Sequence, residues 1–76
     1  MDVQTKISKA KTRLVFKYPF FGSCALGMEF KETNKIPTMS TDGKVIYWNP
    51  SFVENITEEE VAGVVAHEVL HVVFKH

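Results

Sequence analysis

The chain has 76 residues, which is the size of one small domain with a single core and excludes a second domain. Nine basic side chains balance nine acidic ones, so the sequence argues against a nucleic-acid partner or an anionic membrane as partner. The single cysteine, Cys24, excludes an intrachain disulfide, and a polar, lysine-rich start without a secretory signal favours a cytoplasmic location.

The N-terminal segment has the periodicity of an amphipathic helix from about Asp2 to Phe16, which Tyr18-Pro19 ends. The apolar positions that define this period are Val3, Ile7, Ala10 and Leu14. An aromatic cluster follows, and we expect it to seat the helix on the core, with a substrate pocket as the alternative. Its members are Phe16, Tyr18, Phe20 and Phe21.

The middle of the chain has the pattern of three antiparallel strands. Gly22-Ser23 opens an extended segment in which Cys24 is expected to be a small buried strand residue, and residues 25–31 alternate between apolar and other side chains. Asp42-Gly43 separates two further extended runs, and this pair is a strong signal for a hairpin turn. Asn49-Pro50 then ends the third strand before a short helical turn.

The C-terminal segment is predicted to be a helix that begins at Thr57. Thr57 and Glu60 form the pattern of a capping box, and residues 61–74 read VAGVVAHEVLHVVF. These residues are apolar on almost every side, so we expect a helix that is buried all round. Gly63 within it is interpreted as relief of crowding against another backbone. The predicted fold class is α+β: an N-terminal helix, a three-stranded antiparallel sheet with a hairpin, and this C-terminal helix.

Residues 67–71, HEVLH, match the H-E-x-x-H pattern of zinc hydrolases. On a helix, His67 and His71 lie one turn apart on one face, where two imidazoles can bind one zinc ion. Glu68 lies one position round from His67, where it can act as general base toward water in peptide-bond hydrolysis. The alternative is structural: buried histidines that donate to backbone carbonyls, and a Glu68 that pairs with Lys75.

From about Lys9 to His76, the chain resembles a known family, the putative metallopeptidase domain that precedes von Willebrand factor A-like domains. The segments that carry the likeness are KAKTRLVFKYPFFGSCAL and TDGKVIYWNPSFVENITEEEVAGVVAHEVLHVVFKH. The resemblance implies a zincin-like domain in which His67 and His71 bind zinc and Glu68 is the catalytic base. It also implies that an edge strand beside the site holds a peptide or protein substrate, and that a longer parent protein carries the von Willebrand factor A-like domain.

A catalytic zinc normally has three protein ligands, and the sequence does not select the third. His76 lies nine residues after His67, half a turn out of phase on a continuous helix, so we reject it unless the helix unwinds at Phe74, where the sequence has no helix breaker. Asp42, Glu29 and Glu54 remain candidates that no spacing favours.

The missing third ligand leads us to expect a fragment, the N-terminal part of a larger catalytic domain. A ligand borrowed from a neighbouring chain, or weak metal binding without chemistry, would account for the same absence. Apolar surface exposed where such a fragment is cut would favour a homo-oligomer.

The leading function is thus a zinc-dependent metallopeptidase domain. The rival is a non-catalytic interaction module that retains the same fold, or an incomplete fragment without activity. An open metal position that substrate reaches would distinguish the enzyme from a closed structural site.

Overall fold

The computed structural model describes residues 2–74, in an α+β fold with four helices and one three-stranded sheet. The elements in chain order are α1 (Val3–Lys17), α2 (Pro19–Leu26), β1 (Glu29–Glu32), β2 (Met39–Thr41), β3 (Val45–Trp48), α3 (Pro50–Asn55) and α4 (Glu58–Val73). Within the described part of the chain, no helix has the length and apolar character needed to cross a membrane. The predicted fold class is therefore confirmed in outline.

Helix α1 agrees with its prediction to within a residue at each end. Asp2 is its N-cap and accepts a hydrogen bond from the backbone N–H of Thr5 at 2.9 Å. Ile7, Ala10 and Leu14 are buried, as the apolar period requires. Apolar spacing and a capping side chain are both local signals, so this helix could be found from the sequence.

Helix α2 corrects the prediction of an extended segment after Gly22. Residues 19–26 are helical, Pro19 occupies the first turn, and Cys24 is a partly buried helix residue. The helix is short and includes a glycine, so its own propensity is weak and packing must stabilise it. Gly22 supplies that packing, because a Cβ at this position would meet the Cα of Val15 at 2.3 Å. The backbones of α1 and α2 therefore touch at Gly22.

The prediction that the aromatic cluster packs on the core is wrong for three of its four members. Phe16, Tyr18 and Phe20 are exposed, and only Phe21 packs against the core. The core is instead built from smaller side chains and the single tryptophan. Its fully buried members with the largest side chains are Trp48, Leu14, Ile46, Val53, Val61, Val65 and Val69.

The sheet is mixed, with strand order β1-β3-β2, so the prediction of three antiparallel strands is partly wrong. The hairpin of β2 and β3 is antiparallel, and Gly43 in its turn has a φ of 101°, which glycine adopts without strain. β1 pairs with β3 in parallel, with Glu29 opposite Val45. Because β2 occupies one side of β3 through this short turn, β1 joins the opposite side. An alternating pattern in one strand indicates neither its neighbour nor its direction.

Helix α4 begins at the predicted capping box but is buried on one face only. The Thr57 hydroxyl accepts from the N–H of Glu60 at 3.0 Å, and the Glu60 carboxylate accepts from the N–H of Thr57 at 2.8 Å. The buried residues of α4 are Val61, Ala62, Val65 and Val69, and they lie along one side. The helix packs there on α1, α2 and β2. The expectation of a helix buried all round is therefore wrong, because this small domain covers only one side of α4.

Candidate metal centre

The two histidines of the H-E-x-x-H pattern lie on the exposed side of α4. His67 and His71 are both exposed, whereas Glu68 is partly buried. Val65 and Val69, which are fully buried, hold this part of the helix against the core. The histidines therefore extend from an anchored part of α4. Because the imidazoles are hydrated, the structural alternative of buried histidines bonded to backbone carbonyls does not hold.

The two imidazoles converge through the same type of nitrogen. The Nε2 atoms of His67 and His71 lie 3.1 Å apart, the ring centroids are 4.6 Å apart, and the ring planes are nearly perpendicular at 89°. Two nitrogens bound to one tetrahedral zinc at about 2.0–2.1 Å are separated by about 3.3–3.4 Å. A small rotation of either ring would give that separation, so the pair fits two neighbouring positions of a zinc site.

The contact between the two rings also bears on their tautomers. When both imidazoles are neutral, one Nε2 carries the proton and donates to the other, which accepts. A metal held by both Nε2 atoms needs both lone pairs free, so each ring would then carry its proton on Nδ1. The protein therefore supplies two converging nitrogens of which one must change tautomer when a metal binds.

Glu68, the predicted base, is partly buried on α4. It follows His67 on the helix, and its carboxylate has no hydrogen-bond or ion-pair partner among residues 2–74. The proposed partner Lys75 lies outside the described residues.

No third ligand joins the two histidines within the described part of the chain. Among residues 2–74, there is no group of three side chains of the metal-binding types that could hold an ion together. Asp42 instead stabilises the hairpin turn, where it accepts from the N–H groups of Lys44 and Val45, each at 2.9 Å. These backbone hydrogen bonds, and one from the Tyr47 hydroxyl, lower the pKa of Asp42.

The other candidates are not part of the site either. Glu29 lies on β1, 3.5 Å from the Nζ of Lys31, and Glu54 lies exposed on α3. His76 lies outside the described residues, and its exclusion by helical phase assumed a helix that continues to it, whereas α4 ends at Val73. Among residues 2–74, the structure therefore brings together the two imidazole nitrogens and no third side chain that could bind a metal with them.

A cavity of about 340 Å³ adjoins His67, and sequence reasoning did not find it. It lies between the start of α2 and the exposed side of α4. Its lining residues are Tyr18, Phe21, Gly63, Ala66, His67 and Leu70. The sequence contained one signal for it, since Tyr18 and Phe21 belong to the aromatic cluster for which a substrate pocket was the alternative.

Comparisons with curated proteins and with solved structures gave no match. Comparison with protein families matches residues 2–76, nearly the whole chain, to a family described as a putative metallopeptidase domain. The matched region includes both histidines and Glu68, and it confirms the resemblance to a putative metallopeptidase domain, while the association with a von Willebrand factor A-like domain stays a prediction. The chain therefore belongs to the putative metallopeptidase domain family.

Proposed function

We propose that this protein is a zinc-dependent peptidase domain in which His67 and His71 bind the metal and Glu68 is the general base. The observation that carries the proposal is the 3.1 Å separation of the two Nε2 atoms on an exposed helix face. Family membership supports a metallopeptidase-like role and a peptide or protein as substrate. Imidazole nitrogens in this geometry suit zinc, and the open side of the pair leaves room for a substrate carbonyl.

The three residues of the site have separate parts in the proposed reaction. His67 and His71 hold the ion through Nε2, and their rigid spacing comes from the buried face of α4. Zinc, when bound, polarises the substrate carbonyl and makes water more acidic. Glu68 accepts the proton as water attacks the carbonyl carbon, and then passes it to the nitrogen of the leaving amine. The edge strand that the resemblance implies beside the site stays a prediction; β2 is an edge strand, and it packs on α4.

Zinc binding is the first test. We expect the purified protein to bind one zinc ion, and a variant with His67→Ala and His71→Ala to bind none, in competition with a chromophoric chelator. Both side chains are exposed, so the double variant keeps its fold, and circular dichroism checks this. His76→Ala, which removes the remaining histidine of the sequence, shows whether His76 takes part in binding, and we expect it to retain zinc. Equal binding by the parent and the double variant would contradict the site.

Hydrolysis is the second test. Glu68→Gln keeps the size of the side chain but cannot take a proton, so peptide hydrolysis should fall by about 10²–10⁴-fold. The zinc content of this variant should equal that of the parent protein. If Glu68→Gln cleaves peptides as fast as the parent, then Glu68 is not the base.

A second function is favoured by the absence of a third ligand among residues 2–74. In this alternative the domain is a non-catalytic interaction module, and the histidine pair binds metal weakly or serves a structural role. A catalytic site would take its third ligand from outside residues 2–74, for example from a second copy of the chain. Zinc binding without any peptide hydrolysis by the parent protein would favour the module.

A further inference from the structure

Neither the backbone conformation nor the packing at position 63 requires a glycine. It lies inside α4, where glycine is about 1 kcal/mol less favourable than alanine. Its φ is not positive, and a Cβ built on it would meet no atom of the neighbouring elements in residues 2–74 within 4 Å. The interpretation of Gly63 as relief of backbone crowding is therefore wrong, in contrast to Gly22, where α1 and α2 touch. The space above Gly63 is open, and it forms part of a cavity.

The lining of that cavity has the chemistry of a site for an apolar side chain. Its volume is about 340 Å³, and its lining combines aromatic and aliphatic groups with His67. Of the described residues, no acidic, lysine or arginine side chain contributes to the lining. A charged side chain placed there would lose hydration without gaining a partner, whereas a leucine or phenylalanine side chain would bury apolar surface.

The cavity is continuous with the histidine pair. Gly63 precedes His67 by one helical turn, so the imidazole of His67 forms one wall of the cavity while its Nε2 faces His71. A second cavity of about 270 Å³ shares Tyr18, Gly63 and Ala66 with the first and extends the groove along α4 toward Glu59. A peptide in this groove would therefore place one side chain over Gly63 and its backbone beside the Nε2 atoms.

We propose that this cavity, which we call the Gly63 pocket, binds an apolar side chain next to the bond that is cleaved, and that Gly63 keeps the pocket open. The assignment of the neighbouring bond rests on the proposed peptidase function. The pocket itself does not depend on the metal, so its binding of leucine-like or phenylalanine-like side chains is tested on the metal-free protein. Gly63 is in this view a specificity-determining residue, because any large side chain at position 63 would fill the space.

The first experiment is an NMR titration of the metal-free protein with N-acetyl-leucine N-methylamide. We expect saturable shifts of the backbone amides of Gly63, Ala66 and Leu70. N-acetyl-glycine N-methylamide lacks the side chain and should bind about tenfold to a hundredfold more weakly, the factor expected for burial of one leucine side chain. Equal affinity for the two amides, or shifts confined to residues outside the pocket, would overturn the proposal.

Variants then test the role of Gly63. Gly63→Leu places its side chain in the open space and should abolish the leucine-dependent shifts. The matched control is Glu54→Leu, the same new side chain at an exposed helical position that lines neither cavity. Leu70→Ala removes one apolar wall and should weaken binding severalfold, so it tests the pocket even if Gly63→Leu does not fold. Unchanged binding by a folded Gly63→Leu variant would overturn the assignment.

The cleavage preference separates this proposal from the proposed function. If the zinc-loaded protein cleaves peptides, we expect a higher kcat/KM for leucine than for glycine at one position next to the cleaved bond, and Gly63→Leu should remove the preference while retaining zinc. Cleavage without any preference would overturn the pocket assignment but not the peptidase. Leucine-dependent NMR shifts without zinc binding or cleavage would support the pocket and contradict the peptidase.

Discussion

Alanine substitution at the two glycines inside helices, Gly22 and Gly63, should change stability in opposite directions. Both changes gain about 1 kcal/mol of helix propensity. At Gly63 the new methyl group meets no atom of the neighbouring elements in residues 2–74 within 4 Å, so the full gain should remain. At Gly22 the methyl group would lie 2.3 Å from the Cα and 2.5 Å from the backbone N of Val15. These are backbone atoms, so α1 and α2 must move apart to admit it.

The expected magnitudes follow from this geometry. Overpacking typically costs about 1–3 kcal/mol of the free energy of unfolding. Because the methyl group would meet backbone atoms, Gly22→Ala should cost about 3 kcal/mol, or about 2 kcal/mol after the propensity gain is subtracted. For a domain of this size, a change of about 1 kcal/mol shifts Tm by about 4–8 °C. Gly63→Ala should therefore raise Tm by about 4–8 °C, and Gly22→Ala should lower it by about 8–16 °C.

Thermal and urea unfolding of the metal-free protein, followed by circular dichroism, measures both variants against the parent. Without metal, any effect of position 63 on the histidine pair does not contribute to the result. If the two variants change the free energy of unfolding with the same sign, then either α1 and α2 are not in close contact at Gly22 or the space above Gly63 is not open.

Three further predictions test the termini of the helices and the metal site. Asn49 accepts from the N–H groups of Ser51 and Phe52 and donates through Nδ2 to the carbonyl of Ile36 at 2.7 Å, so Asn49→Ala should lose about 2 kcal/mol in urea unfolding. Asn49→Asp keeps the cap and should lose about half as much; an equal loss would contradict the separate roles of the two atoms. The backbone N–H of Thr57 lowers the pKa of Glu60, so the ionised carboxylate stabilises the folded chain above the ordinary glutamate pKa of about 4.3. That stabilisation is lost as pH falls through the lowered value. In Glu60→Gln, the free energy of unfolding should therefore fall less steeply at acid pH than in the parent, and an equal fall would refute this. Free zinc at about 100 times its Kd should raise the free energy of unfolding by about 2.7 kcal/mol in the parent, with no effect in the variant that lacks His67 and His71.

The sequence by itself determined the features that depend on neighbouring residues. Asp2 and Thr57 mark helix starts through hydrogen bonds to N–H groups three residues on. The Asp42-Gly43 turn specifies the hairpin because residue 43 adopts a positive φ. The spacing of His67 and His71 places both rings on one side of a helix, and helical geometry makes their convergence predictable. The proposal of His67 and His71 as ligands and Glu68 as base therefore rests on the sequence alone.

Only the tertiary structure decided which surfaces meet. A run of valines cannot show which side of α4 the other elements cover, so the exposure of the two imidazoles was not foreseen. Helix α2 depends on the contact of Gly22 with Val15, and the parallel pairing of β1 depends on the free side of β3. Gly22 and Gly63 look alike in the sequence, but Gly22 touches a backbone and Gly63 faces open space. Burial and close approach involve residues distant in the chain, so their energies enter only when the whole domain packs.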